Sequence, residues 1–284
     1  MILVVGANGV VGTPLCEQLT AKNMVFKRVS RSDGPSTIKW DLTEPLSAAL
    51  IESLAGVNTL IHCAPIWLLS PHIETLHSVG VKRMVVFSST SVLSKQASSD
   101  SNEQRLVAQL SSGESSLNKY TLSHDLKVTI LRPSMIYGYG RDQNVSHIAR
   151  FIKKYGLMIL MGKASGLRQP VHCDDLVRAC IAVIDEPKCY SRTYNLAGAE
   201  VLSYRSMVER IFKGLSRKPF IISVPLTLFR VGLRAASLLG TFSYTPEMAN
   251  RMNQDLAYDY QSASDDFAYE PQKFLEQPQR DLFQ

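Results

Sequence analysis

Gly6-Ala7-Asn8-Gly9-Val10-Val11-Gly12 is the segment of this 284-residue chain whose residue types and spacing bear most directly on chemistry. It follows the apolar run Ile2 to Val5 and precedes a helical pattern that starts near Pro14. In that setting the first glycine permits a tight turn, the second lets backbone approach a pyrophosphate, and the third lets the helix pack close to the strand. Asn8, Val10 and Val11 complete a loop expected to hold a dinucleotide. Ser30-Arg31-Ser32 falls at the end of the second strand, with Arg31 nineteen residues after Gly12. An acidic residue there would read a bare ribose hydroxyl; an arginine flanked by hydroxyls suits a 2′-phosphate, so NADP is expected, with NAD as the alternative because Asp33 stands two residues on. Asp41 and Leu42 are placed to contact adenine, and the small residues Cys63, Ala64 and Pro65 let backbone pass under the cofactor. His62 and Cys63 themselves read as core residues.

These residues need a scaffold, and the chain writes one. Strand candidates at Ile2 to Val5, Val25 to Val29, Thr59 to Cys63, Met84 to Ser88 and Val128 to Leu131 alternate with helix candidates at Pro14 to Lys22, Leu46 to Leu54, Pro71 to Val79 and Asn102 to Asn118. That alternation predicts an α/β fold, a Rossmann-type doubly wound parallel sheet. Beyond Gly140 the texture changes, which predicts a smaller C-terminal substrate domain: residues 1–166 form the dinucleotide-binding unit and 167–284 the substrate unit, with 190–197 returning to the sheet.

Composition excludes several classes. Apolar residues make up 45% and charged residues 20%, as in a folded globular chain. The net charge of +6 has no basic run longer than Lys153-Lys154, so no nucleic-acid partner is expected. Five cysteines without a C-x-x-C pair suggest neither a disulfide framework nor a metal site, and a reducing, cytoplasmic setting. Met1 runs straight into a strand with no leader-like segment. Phe220 to Leu239 is apolar, but Pro225, Arg230 and Arg234 argue against insertion into a bilayer and for a turn followed by an amphipathic helix, with membrane-surface contact as the minor reading.

Phe87-Ser88-Ser89-Thr90-Ser91, Leu131-Arg132-Pro133-Ser134 with Tyr137-Gly138, and Arg168-Gln169-Pro170-Val171-His172-Cys173-Asp174-Asp175 complete a pattern that resembles the extended short-chain dehydrogenases, the NAD-dependent epimerase/dehydratase family acting largely on nucleotide sugars. The resemblance implies that Thr90 hydrogen-bonds the reacting oxygen. It also implies that Ser88, Pro133 and Ser134 border the cofactor, that Met135 lines the nicotinamide end, and that Arg168 binds the substrate diphosphate. A homodimer through two long helices is implied as well. The family's Tyr-x-x-x-Lys pair is missing: alignment on Glu114 puts Leu106 and Leu110 at those positions, and Tyr120 with His124 lies at the wrong end of the helix. Lys95, the Glu103/Arg105 pair and Tyr137 are the nearest replacements, and some atypical nucleotide-sugar epimerase-like members share the departure. Two functions stay open. One is an atypical NAD(P)-dependent epimerase or reductase acting on a nucleotide sugar or related carbonyl compound. The other is a non-catalytic NADP(H)-binding sensor or assembly protein.

Overall fold

The computed structural model describes residues 1–32, 36–227 and 250–283. In chain order the strands are β1 (Ile2–Val5), β2 (Phe26–Ser30), β3 (Thr37–Lys39), β4 (Thr59–His62), β5 (Arg83–Phe87), β6 (Lys127–Pro133), the short β7 (Ile136–Tyr137), β8 (Met158–Met161), β9 (Leu167–Arg168) and β10 (Val171–His172), then β11 (Arg192–Leu196), β12 (Leu202–Ser203) and β13 (Ile221–Val224). Seven of them form one sheet in the order β11-β6-β5-β4-β1-β2-β3, and every pair in it is parallel. Successive crossovers run outward in opposite directions from the β1/β4 seam, so a crevice opens there beyond the strand C-termini, the place where such sheets take ligands.

The helices described are α1 (Gly12–Ala21), α2 (Ala48–Ser53), α3 (Ile73–Ser78), α4 (Ser91–Ser94), α5 (Ser101–Thr121), α6 (Val145–Tyr155), α7 (Cys173–Ala182), α8 (Tyr204–Gly214), α9 (Gln261–Phe267) and α10 (Pro278–Leu282). Strand side chains alternate between two apolar layers. Val4, Ile61 and Val85 pack with Leu15 and Leu19 of α1 and Leu176 and Cys180 of α7. Leu3, Val5, Leu60 and Val86 pack on the other face with Leu76 of α3 and Leu110 and Leu117 of α5. The longest helix, α5, starts where the Asp100 carboxylate accepts from the amides of Asn102 and Glu103 at 2.9 and 3.0 Å. At the other end of the sequence scale, α6 stops at Gly156, whose φ of +75° glycine alone adopts without strain.

The packing corrects two expectations. A third apolar cluster gathers Ile148 and Ile152 of α6, Leu160 of β8 and Met207, Ile211 and Phe212 of α8, so residues from about 135 to 165 belong with the substrate lobe. Conversely α7 packs on α1 and β11 pairs with β6, returning 171–196 to the sheet. The lobes therefore interleave rather than divide at 166/167, because an apolar helix joins whichever layer its stripe can bury against. In addition, Ile221–Val224 is a strand paired in parallel with Met158–Met161 and not a turn. The remainder of the apolar stretch, from residue 228 to 239, lies outside the described residues. Among the described residues no helix is long and apolar enough to cross a membrane.

Candidate active site

The glycine loop has the geometry its spacing implied. Gly6 sits at φ +78°, and a Cβ there would lie 2.9 Å from the Ala64 amide nitrogen and 3.0 Å from the Cys63 carbonyl carbon. A Cβ at Gly12 would lie 2.1 Å from the Gly6 carbonyl oxygen. The Gly9 amide donates to that same oxygen at 3.0 Å, folding the loop over the start of α1. Val11 is buried and Val10 packs beside it. The first turn of α1 carries no acidic residue, so its positive end faces an incoming phosphate without internal competition. Asn8 Nδ2 donates to the hydroxyls of Ser30 and Ser32, 3.0 Å each, tying this loop to the end of β2 where Arg31 stands exposed.

Around the loop, Cys63 and Ala64 are half-buried at the end of β4 and Pro65 is exposed. Asp41 is exposed, and its carboxylate accepts from the Thr43 amide at 3.0 Å and hydroxyl at 2.8 Å, which hold it below the usual carboxylate range. Leu42 turns into the core, and its carbonyl accepts from His72 Nε2 at 2.9 Å. The Leu42 side chain is thus a core residue, while the exposed Asp41 carboxylate is steadied through Oδ1 at the expected adenine side. Ser88 is similarly committed: its hydroxyl donates to Glu114 Oε1, and that carboxylate also grips Arg132. Pro133 is buried at the end of β6, where its carbonyl accepts from the Thr90 amide at 3.0 Å, and Ser134 donates to the Gln169 carbonyl.

His62 is fully buried in β4, with Nε2 3.3 Å from the Pro65 carbonyl oxygen, and burial pushes its pKa down from 6.5 to about 4. The unfolded chain thus takes up a proton near pH 6.5 that the native protein refuses until about pH 4. Stability contributed by neutral His62 is complete above 6.5 and declines by about 1.4 kcal/mol per pH unit below it, reaching roughly 3 kcal/mol at pH 4. Urea unfolding at pH 7 and pH 4.5 is expected to show this loss, and His62→Leu is expected to shrink it.

A cleft of about 500 Å³ lies beyond β5 and β6, between the lobes. Thr90, Ser91 and Lys95 line one wall, Ser134 and Met135 the floor, and Arg168, Tyr204, Arg251 and Tyr258 the other wall. No carboxylate of the described residues lines it. Thr90 is buried, with Oγ donating to the Pro133 carbonyl at 3.2 Å, so its oxygen lone pairs are what it offers the cleft. Lys95 Nζ lies 3.0 Å from Glu103 Oε1, and Arg251 lies 2.6 Å from the same oxygen. Glu103 thus joins the two walls of the cleft through one carboxylate. Burial opposes its charge, but the Ser98 hydroxyl, Lys95 and Arg251 together hold its carboxyl below the usual range.

Two expected site residues take other roles. Tyr137 is fully buried away from the cleft: its hydroxyl accepts from the Leu275 amide at 3.2 Å and lies 3.4 Å from the Lys273 carbonyl oxygen, and its ring packs edge-on against Phe274. Burial pushes its phenol pKa up, so Tyr137 is a core residue and not a proton carrier. Arg168 does border the cleft, but its guanidinium donates to the carbonyls of Leu167 at 2.6 Å, Gln254 at 2.8 Å and Arg251, and stacks over Tyr204 at 5.2 Å. It clasps the chain at 251–254 as much as it faces a ligand. Glu103 was among the residues read from the sequence as replacements, but Arg251 and Tyr258 were not; they lie more than 160 residues from Thr90 in the chain, and no local motif marks them. Gln169 could have been read, because it is part of the Arg168 motif: it pins the second wall by donating to the Gly198 carbonyl and accepting from the Tyr258 amide.

In α5, Leu106 and Leu110 pack into the layer beneath the sheet. Tyr120 is at the far end of that helix, hydrogen-bonded to His77 at 3.1 Å and stacked on His124.

Comparison with known proteins follows this geometry. Residues 71–197 match the sequence model of the NAD dependent epimerase/dehydratase family. The UDP-glucose 4-epimerase of Vibrio cholerae is 23% identical over 97% of this chain and 92% of its own length. The mitochondrial NADH dehydrogenase [ubiquinone] 1 alpha subcomplex subunit 9 of Arabidopsis thaliana is 27% identical over 46% of this chain and 32% of its own. Among solved structures, MoeE5 in complex with UDP-glucose and NAD superposes with a TM-score of 0.75 at 19% identity, covering 99% of this chain and 97% of that one.

Proposed function

We propose, from the match of residues 71–197 to the NAD dependent epimerase/dehydratase family, that this chain is an NAD(P)-dependent epimerase or reductase of atypical active site acting on a nucleotide sugar. The observation that carries the reading is the cleft itself. It lies beyond the ends of β5 and β6, presents Thr90 and Ser134, and is bordered by Lys95, Arg168 and Arg251 without a carboxylate in its lining. Such a lining suits a ligand whose middle is a diphosphate. The cofactor supplies hydride acceptance and return.

This chain's residues would do the rest. With its proton on the Pro133 carbonyl, the Thr90 oxygen can accept from a substrate hydroxyl; rotation of the same O–H lets it donate to the carbonyl that replaces the hydroxyl. Lys95 is the titratable group of that wall, and Glu103 orients it. In this reading the apolar Leu106 and Leu110 take the positions of the family's Tyr and Lys, and the proton route is therefore assigned to Lys95. Arg31, exposed between two serines, supports NADP over NAD. Arg168 would hold the second wall against the substrate tail while meeting one edge of the diphosphate.

Turnover of UDP-glucose and UDP-glucuronic acid, with each dinucleotide in turn, tests the proposal. Thr90→Ala is expected to lower kcat roughly a hundredfold with little change in KM. Arg168→Ala is expected to raise KM first, because it releases the wall at 251–254. Unchanged kinetics in both variants would contradict these roles.

A second reading has its own support. Leu106 and Leu110 are apolar and packed, which on the alignment to Glu114 would leave the helix inert in proton transfer, and one similar protein is named as a subunit of NADH dehydrogenase. A non-catalytic NADP(H)-binding protein would bind dinucleotide yet turn over no sugar nucleotide.

A further inference from the structure

The charge of this chain is segregated in a way that the cleft does not use. Between Asp142 and Asp174 there are five basic and no acidic residues, and between Glu209 and Glu247 there are six basic and none acidic. The fold brings the described parts of these two stretches together at residues 152–161 and 217–224. β8 and β13 pair only with each other among the described residues, the Met158 amide donates to the Phe220 carbonyl at 3.0 Å, and Arg217 donates to the Ile152 carbonyl at 2.9 Å at the end of α6. Lys153, Lys154, Arg217 and Lys218 are therefore neighbours in one exposed corner of the substrate lobe.

Large apolar side chains stand exposed in that same corner. Tyr155 is 54% exposed and Phe220 59%, while Ile159 and Ile222, opposite each other in the ladder, are 38% and 41% exposed. Half of the eight exposed large hydrophobics of the described residues thus lie on or directly beside one two-stranded unit and the end of α6. Isolated exposed apolar residues need no account, but a patch of them ringed by cations does. The sequence that continues from β13, Leu226 to Leu239, is apolar and interrupted only by Arg230 and Arg234 among charged residues.

The geometry points to this corner as a docking surface for an anionic membrane. The aromatic and β-branched side chains enter the headgroup boundary while the lysines and arginines meet lipid phosphates. A nucleic-acid surface would need the cations but not four exposed apolar side chains between them. The binding is interfacial, with no segment crossing the bilayer, and it places the lobe edge, not the cleft mouth, on the membrane.

Co-sedimentation of the full chain with extruded vesicles tests this. The protein is expected to pellet with vesicles containing phosphatidylglycerol and to stay in solution with pure phosphatidylcholine, and high salt is expected to release it. Each basic residue near the surface accounts for about a fivefold change in partitioning, so Lys153→Gln with Lys154→Gln is expected to weaken it roughly 25-fold. Phe220→Ser with Ile222→Ser is expected to weaken it as well, at exposed positions that leave the thermal midpoint unchanged. Failure of the wild-type chain to pellet with phosphatidylglycerol vesicles overturns the proposal whatever the variants do. So does equal binding to neutral vesicles, or binding to duplex DNA that the Phe220/Ile222 variant leaves intact.

Discussion

Gly12→Val is expected to give a chain that fails to fold or loses about 4–5 kcal/mol, with no measurable dinucleotide binding. A Cβ at Gly12 would stand 2.1 Å from the Gly6 carbonyl oxygen and 2.9 Å from Ala7 Cα. All of these are backbone atoms of β1 and its loop, so no flexible side chain can give way. Gly9→Ala is the informative companion. Its Cβ would meet only the Gly6 oxygen at 3.2 Å and otherwise points to open space. That variant should fold with a near-native midpoint yet bind dinucleotide at least tenfold more weakly, because the methyl stands where backbone must approach the pyrophosphate. Thermal unfolding and equilibrium binding on the two proteins separate the packing glycine from the phosphate glycine. A Gly9→Ala protein that bound normally would mean that the loop does not hold a pyrophosphate.

Arg83→Met is expected to cost about 3–5 kcal/mol although Arg83 is far from the cleft. This buried arginine begins β5, and among the described residues no carboxylate forms an ion pair with it. Its Nε donates to the Ile184 carbonyl at 2.8 Å; Nη1 reaches the carbonyls of Met84 at 2.9 Å and Lys127 at 3.1 Å; Nη2 reaches the Val183 carbonyl at 2.6 Å and the Thr129 hydroxyl at 2.7 Å. Val183 and Ile184 end α7, so the guanidinium caps that helix where its carbonyls are unpaired and its dipole is negative. The face of the cation lies 4.8 Å from the Tyr190 ring centroid. Burial lowers the pKa of Arg83, yet all five donors are matched and the charge is held by carbonyl dipoles. Methionine fills much of the space and leaves those carbonyls and the Thr129 hydroxyl short of a donor. Arg83→Lys should recover only part of the loss, since an ammonium cannot span the fork. Chemical unfolding of the three proteins checks this order; a fully stable Arg83→Met protein would show the cap to be dispensable.

Arg83 also shows where reading the sequence stops. In the chain it is one arginine at the start of an apolar run, and nothing local tells that residues 183 and 184 bring their carbonyls to it. The central strands were legible because they are short apolar runs between turn residues: Ile2–Val5 appears as read and Thr59–His62 differs by one residue, whereas the three-residue edge strand Thr37–Lys39 was not read as a strand. The glycine loop was legible for the same reason, since its constraint is local backbone geometry. Tyr137 misled because a tyrosine after a sheet strand looks the same whether it turns to the cleft or to Phe274, and only the C-terminal segment at 273–275 decides. Arg168 was half legible: its motif placed it at the cleft, but the carbonyls it clasps belong to residues more than eighty positions away. The return of 190–197 to the sheet was legible, but that α7 packs with α1 and that α6 joins the other lobe was hidden in the same way, because a helical stripe reveals that a helix is buried and not which layer buries it.

The central claim is that this chain holds a nicotinamide dinucleotide against the loop from Gly6 to Gly12, and native mass spectrometry of the freshly purified full chain tests it most directly. The account predicts one dinucleotide per chain, either retained through purification or taken up on addition, with NADP(H) preferred over NAD(H) and the signal lost in Gly9→Ala. A chain that carries no nucleotide and takes up neither would contradict the account at its foundation.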